Sequence, residues 1–171
     1  MLKQLLILAS CVTLLIAVTA FVHAATSTAP VSAPVQAVMT PYLQIHDALA
    51  SDSLDGVSGA AAALAKAAQA DKLFPAELSQ EAKALAQTTD LASARAAFKP
   101  MSETLIKALS DNKALPAAYT EVYCPMEKAH WLQTSTTVSN PFGSSMARCG
   151  NIVTAQASST SAMHMGGGCC N

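Results

Sequence analysis

Sulfur donors crowd the last third of this chain. Tyr123-Cys124-Pro125-Met126 and Ser145-Met146-Ala147-Arg148-Cys149-Gly150 each supply one cysteine and one methionine at short spacing. Thiolates and thioethers are soft ligands that suit monovalent copper or silver, whereas hard ions such as calcium take oxygen. A thioether also cannot be lost to disulfide formation, an advantage in an oxidising compartment. The competing reading is a Cys124–Cys149 disulfide. It would close a loop of about 25 residues and contribute about 2–4 kcal/mol, with Met126 and Met146 as core fillers. A redox-controlled pair is compatible with both readings. His130, beside Trp131, and His46 are expected to serve packing rather than ligation.

A second group lies in the tail. Met163, His164, Met165, Cys169 and Cys170 fall within eight residues, joined by Gly166-Gly167-Gly168. The glycines let the chain turn back on itself, so sulfurs from both sides can face one ion. The alternatives are a terminus without a role and disulfides to other chains. The spacing lacks the paired layout of a structural zinc site.

No nucleophile elbow, His-Glu-x-x-His pair, phosphate loop or dinucleotide fingerprint occurs. Cys-x-x-Cys redox and Cys-x-x-Cys-His haem motifs are also missing. The expected function is therefore binding, not catalysis. A net charge of −1 with 12% charged residues offers no basic surface for nucleic acid or acidic lipid.

The elements that must position these donors begin with an export signal. Met1-Leu2-Lys3-Gln4 is a positive start, and an apolar run follows from Leu5 to Val22. Val22-His23-Ala24 then forms a cleavage box, so residues 1–24 are expected to be removed in a periplasmic protein. The run is about 18 residues, at the lower limit for a membrane anchor. Leu8-Ala9-Ser10-Cys11 imitates a lipoprotein box, but the apolar run continues well past Cys11.

Residues 25–34 form a Ser/Thr/Pro/Ala lead. A helix is expected over about Val35–Ala50 from Val35, Val38, Tyr42, Ile45 and Leu49. Pro41 would either start it, with Thr40 as cap, or kink it. Asp52 is expected to cap a second helix with a stripe of Leu54, Val57, Ala61, Leu64 and Ala68. Leu78, Ala82 and Leu85 mark a short third helix. Asp90 should cap a fourth, whose buried face is Leu91, Ala94, Phe98, Met101, Leu105 and Leu109. Alanine-rich composition and sparse aromatic or β-branched runs point to an all-α fold. The expected form is an up-and-down helical bundle over residues 35–153 with an irregular Cys/Met segment. Residues 154–171 are expected to be a tail that does not pack.

One ordered set of motifs resembles a known family. Tyr123-Cys124-Pro125-Met126, Trp131-Leu132-Gln133, Asn140-Pro141-Phe142-Gly143, Met146 and Cys149-Gly150 are similar to the bacterial domain of unknown function 3347. Upstream, Tyr42-Leu43, Asp47-Ala48-Leu49, Ala94-Arg95, Phe98 and Met101-Ser102 fit its helical part. The resemblance spans about Val35 to Val153. It implies a periplasmic helical bundle, found alone or fused to adaptor subunits of heavy-metal efflux pumps. Its Cys-Pro-Met and Met-x-x-Cys-Gly segments map onto Cys124, Met126, Met146 and Cys149. An adaptor region is not evident in this chain, so it would act as a free-standing protein. The tail falls outside the resemblance.

Taken together, these readings predict a periplasmic copper(I)- or silver(I)-binding protein that sequesters the ion or passes it to a heavy-metal efflux complex. Cys124, Met126, Met146 and Cys149 would form a domain site, and the tail a capture arm. The alternative is an interaction module of the cell envelope held by a Cys124–Cys149 disulfide.

Overall fold

The structure, a computed structural model, describes residues 31–153. The export signal, most of the lead and the Met/His/Cys tail lie outside these residues. Helix α1 spans Ala33–Ala50 with a proline in its first turn, where the missing N–H costs nothing. The helix runs through Pro41, so Thr40 is not its cap. Thr40 Oγ1 donates instead to the Gln36 carbonyl at 2.9 Å. Val35, Val38, Met39, Tyr42, Ile45 and Leu49 form the buried face.

Helix α2, Val57–Ala70, buries Val57, Ala60, Ala61, Leu64, Ala65 and Ala68. Small side chains let its neighbours approach closely, and it packs against both α1 and α3. The residue that caps its N-terminus is Gly56, in the left-handed region at φ 75°. The expected Asp52 cap is not formed; Asp52 is engaged elsewhere, as described below. Helix α3, Ala76–Ala86, buries Leu78, Ala82 and Leu85 as the periodicity requires.

Helix α4, Leu91–Asp111, begins at Asp90, whose carboxylate accepts the Ser93 N–H at 2.9 Å and the Ser93 hydroxyl at 2.7 Å. These bonds hold the Asp90 carboxyl below its usual range. Pro100 lies inside α4, and Ala94, Phe98, Met101, Leu105 and Leu109 are buried on one side. Among the described residues no helix is long and apolar enough to cross a membrane.

The C-terminal part corrects the all-α expectation. Residues after Leu115 form a three-stranded antiparallel sheet of β1 (Thr120–Cys124), β2 (Ala129–Gln133) and β3 (Asn151–Val153), ordered β2-β1-β3. The molecule is mostly helical, with this sheet set against α4. Val122 pairs with Trp131 and Cys124 with Ala129. Period-two alternation puts all four on one face, and all four are buried. Glu121, Tyr123 and His130 take the other face.

The two sheet edges are treated differently. On β2, Tyr42 Oη accepts the Leu132 N–H at 3.0 Å, and Ser102 Oγ donates to the His130 carbonyl at 2.8 Å. Glu103 Oε1 accepts the His130 N–H at 2.8 Å. Side chains of α1 and α4 thus satisfy the outward backbone groups of an edge strand. Tyr42 and Ser102 also bond each other at 2.7 Å. Desolvation raises the Tyr42 phenol far above its usual range, so it stays neutral as donor and acceptor. Strand β3, the opposite edge, is exposed along its length.

Candidate functional site

Cys124 ends β1 with its side chain fully buried, and Cys149 stands two residues before β3 at 5% exposure. The register sets Asn151 opposite Tyr123, which brings the two cysteines to the same end of the sheet. Their sulfurs are 2.9 Å apart. Two thiolates that each bind one tetrahedral ion at about 2.3 Å would stand roughly 3.8 Å apart. The observed pair is closer than that, and an ion between them would have to push the sulfurs outward.

A surface depression of about 410 Å³ opens beside the pair. Met126, Met146 and Cys149 line it together with Ser144, Ser145 and Arg148. Met126 is 63% exposed, whereas Met146 is packed against the core edge. Three of the four sequence-predicted domain donors therefore share one concavity. The fourth, Cys124, does not line it and meets Cys149 from the interior. Among the described residues no three His, Cys, Asp or Glu side chains converge as a metal group. Met163, His164, Met165, Cys169 and Cys170 lie outside the described residues.

The segment that carries Met146 and Cys149 has little regular structure, and buried polar side chains shape it. Gln133 Nε2 donates to the Ser135 and Thr137 carbonyls, and its Oε1 accepts from Ser139 N at 3.0 Å and Trp131 Nε1 at 3.1 Å. Asn140 Nδ2 donates to the Cys149 carbonyl at 2.9 Å, while its Oδ1 accepts the Phe142 N–H at 2.8 Å. His46 Nε2 donates to the Ser139 carbonyl at 2.9 Å, and its Nδ1 lies 2.8 Å from Asp47 Oδ1.

Arg95 spans the gap between helices and loop. Its Nε donates to the Pro141 carbonyl, one terminal nitrogen reaches the Leu49 carbonyl, each at 2.9 Å, and the guanidinium pairs with Asp52. Hydrogen bonding from Ser144, reinforced by Arg95, holds the Asp52 carboxyl below its usual range. Ser144 opens the short 3-10 turn Ser144–Met146 on the wall of the depression. Asp52 is thus an anchor for the donor loop.

Gly150 completes the placement. Its φ is 153°, and a Cβ there would come within 2.6 Å of Val122 Cγ1 and 2.9 Å of Trp131 Cη2. The Cys149-Gly150 step must carry a glycine so that the chain can pass over Trp131 into β3. The aromatic base beneath consists of Trp131 and Phe142, with centroids 6.1 Å apart, and Phe98, 6.0 Å from Phe142.

His130 belongs to different surroundings. Its Nδ1 is 2.7 Å from Glu121 Oε1, and its ring lies 4.5 Å from the Tyr123 ring. The alternation of β1 and β2 puts it on the face opposite Cys124, in keeping with a packing role.

Sequence reasoning missed Gln133, Asn140, Arg95 and Asp52 as positioning residues. Gln133, Asn140 and Arg95 stood within the family-like motifs, but their types say nothing about which carbonyls they reach.

A family model described as a protein of unknown function, DUF3347, matches residues 38–116. This stretch covers the helices from within α1 through α4 and stops before β1, a shorter span than the resemblance read from the sequence. The cysteines and methionines of the site lie beyond it. No curated protein and no solved structure matches the chain.

Proposed function

We propose that this chain, a member of the DUF3347 family through residues 38–116, binds copper(I) or silver(I) in the periplasm and sequesters the ion or passes it to a heavy-metal efflux complex. It acts as a binder rather than a catalyst. The observation that carries the reading is the depression lined by Met126, Met146 and Cys149, a donor set of one thiol and two thioethers that favours soft ions. The apolar leader from Leu5 to Val22 supports export, and residues 25–171 would act on the periplasmic side.

A titration of the reduced full chain against a monovalent-copper chelator tests the proposal. The expected result is binding tighter than micromolar, weakened at least tenfold by Met126→Leu/Met146→Leu. Binding no tighter than micromolar, or binding indifferent to replacement of all four of Cys124, Met126, Met146 and Cys149, overturns the domain site.

The 2.9 Å sulfur separation favours a second reading. Here Cys124 and Cys149 are joined in the oxidising compartment, and the chain is an interaction module of the cell envelope. Thiol counting under denaturing conditions, on protein taken directly from cells, separates the two. Complete oxidation of this pair supports the module; recovered thiols support the ion site.

A further inference from the structure

We propose that the Cys124–Cys149 pair gates the depression: Cys149 is an ion donor while both sulfurs are thiols, and its withdrawal into a disulfide with Cys124 releases the ion. This inference rests on the soft-metal reading above and assigns that site its control.

One sulfur is claimed twice. Cys149 lines the depression with Met126 and Met146, and its Sγ stands 2.9 Å from Cys124 Sγ. It is the only thiol among the residues of that lining. The thiolate is the form of cysteine that ligates metals, so oxidation leaves the depression with two thioethers and no anionic donor. Conversely, an ion on the Cys149 thiolate occupies the sulfur that a disulfide needs. An ion also cannot lie between sulfurs 2.9 Å apart without separating them. The ion-bound and disulfide states therefore exclude each other.

The backbone suits both states. The Cys149 N–H donates to the Met146 carbonyl at 2.7 Å, and the Cys149 carbonyl accepts Asn140 Nδ2 at 2.9 Å. The Asn140 N–H in turn donates to the Ala147 carbonyl at 3.0 Å. On the other side, Cys124 is held in the ladder opposite Ala129. With both backbones fixed, closing 2.9 Å to a bond of roughly 2.05 Å is a side-chain adjustment.

The two sulfurs differ in access, and this sets the order of events. Cys124 is fully buried, whereas Cys149 is 5% exposed and faces the depression. An incoming organic disulfide can reach Cys149 alone. The Cys149 thiolate attacks one of its sulfurs, forming a mixed disulfide and expelling one thiolate. Cys124 then loses its proton and attacks Cys149 Sγ, expelling the second thiolate. The chain gives up two electrons and two protons, and the incoming disulfide leaves as two thiols. By linkage, an ion that favours the reduced pair makes that pair harder to oxidise by the same factor.

Methyl-labelled methionine NMR with silver(I) tests the proposal. The full chain carries Cys11→Ser/Cys169→Ser/Cys170→Ser, which leaves Cys124 and Cys149 as its two cysteines. Reduced and oxidised forms, told apart by a mass difference of two hydrogens, are titrated separately. Silver is expected to shift the Met126 and Met146 methyl groups in the reduced form. In the oxidised form the midpoint should rise at least tenfold, and reduction should restore it. Reduced Cys149→Ala should match the oxidised form within about threefold, because both lack the same thiolate. An equal response of the two forms overturns the gate and leaves the soft-metal reading to the thioethers. Cys149→Ala that binds like the reduced parent overturns the shared sulfur. Oxidation that yields only disulfides between chains, or that displaces amide signals throughout α3 and α4, overturns a local gate. No silver-dependent shift at either methionine in the reduced form overturns the soft-metal reading and this inference together.

Discussion

At the scale of single residues, glycine and polar side chains govern the site more than the sulfurs do. Gly150→Ala forces a methyl group into Val122 and Trp131 while retaining a backbone angle that disfavours alanine. The expected cost is about 2–3 kcal/mol, read as a lower urea midpoint. Asp52 gives a pH prediction. Its carboxyl is held low in the folded state by Ser144 and Arg95. A depressed carboxyl contributes stability that is present above its unfolded value, 3.8, and lost as pH falls through the folded value. Asp52→Asn should therefore lower stability at neutral pH and flatten its decline below about pH 4, as followed by acid titration of the denaturation midpoint. Tyr42→Phe leaves the buried Leu132 N–H without its acceptor. The expected loss is about 1–3 kcal/mol, measurable in the same denaturation series. The sequence marks sulfur as chemically special, but Asn140 and Gln133 look like ordinary loop polarity until their carbonyl partners are visible.

At the scale of elements, α4 serves both as a wall of the helical core and as the support of the donor loop. Arg95 links the two roles by holding the Leu49 and Pro141 carbonyls at once. Arg95→Lys keeps the charge but not the fork, since an ammonium cannot fill the same directions. Amide exchange at Met146 and Cys149 should accelerate severalfold, with Leu105 and Leu109 in α4 unchanged, by hydrogen-exchange mass spectrometry or NMR. The helices were legible because Leu78-Ala82-Leu85 and Ala94-Phe98-Met101-Leu105 repeat at helical steps, and Asp90 with Ser93 makes a cap that works locally. The strands were not. Each of β1 and β2 has only five residues, too few for alternation to stand out between Pro116, Pro125 and Pro141. Their edge is completed by Tyr42, Ser102 and Glu103, which lie far away in sequence. Thr40-Pro41 and Asp52 both fit helix-start chemistry, but α1 continues through Pro41 with Thr40 bonded inside the helix, and Asp52 is taken by its tertiary partner Arg95.

At the scale of the whole molecule, the family-matched helices and the sulfur-bearing sheet divide the work. Residues 38–116 supply the helical core, and the sheet with its following loop presents Met126, Met146 and Cys149. Oxidation joins these layers to stability. Linking Cys124 to Cys149 would constrain a loop of about 25 residues and raise stability by about 2–4 kcal/mol. Differential scanning calorimetry under oxidising and reducing conditions should then show a higher Tm for the oxidised chain. Cys124→Ser/Cys149→Ser should abolish that difference.

Trp131 is the chain's one tryptophan. It is fully buried on the sulfur side of the sheet, with its ring against the Cys149-Gly150 step. The molecule therefore contains its own optical probe. Its ultraviolet emission should dim or shift in wavelength when the neighbouring sulfurs change oxidation state or take up an ion. His130 and Glu121 lie on the opposite face of the sheet. Unlabelled protein in a fluorimeter can thus follow events at Cys149 in real time.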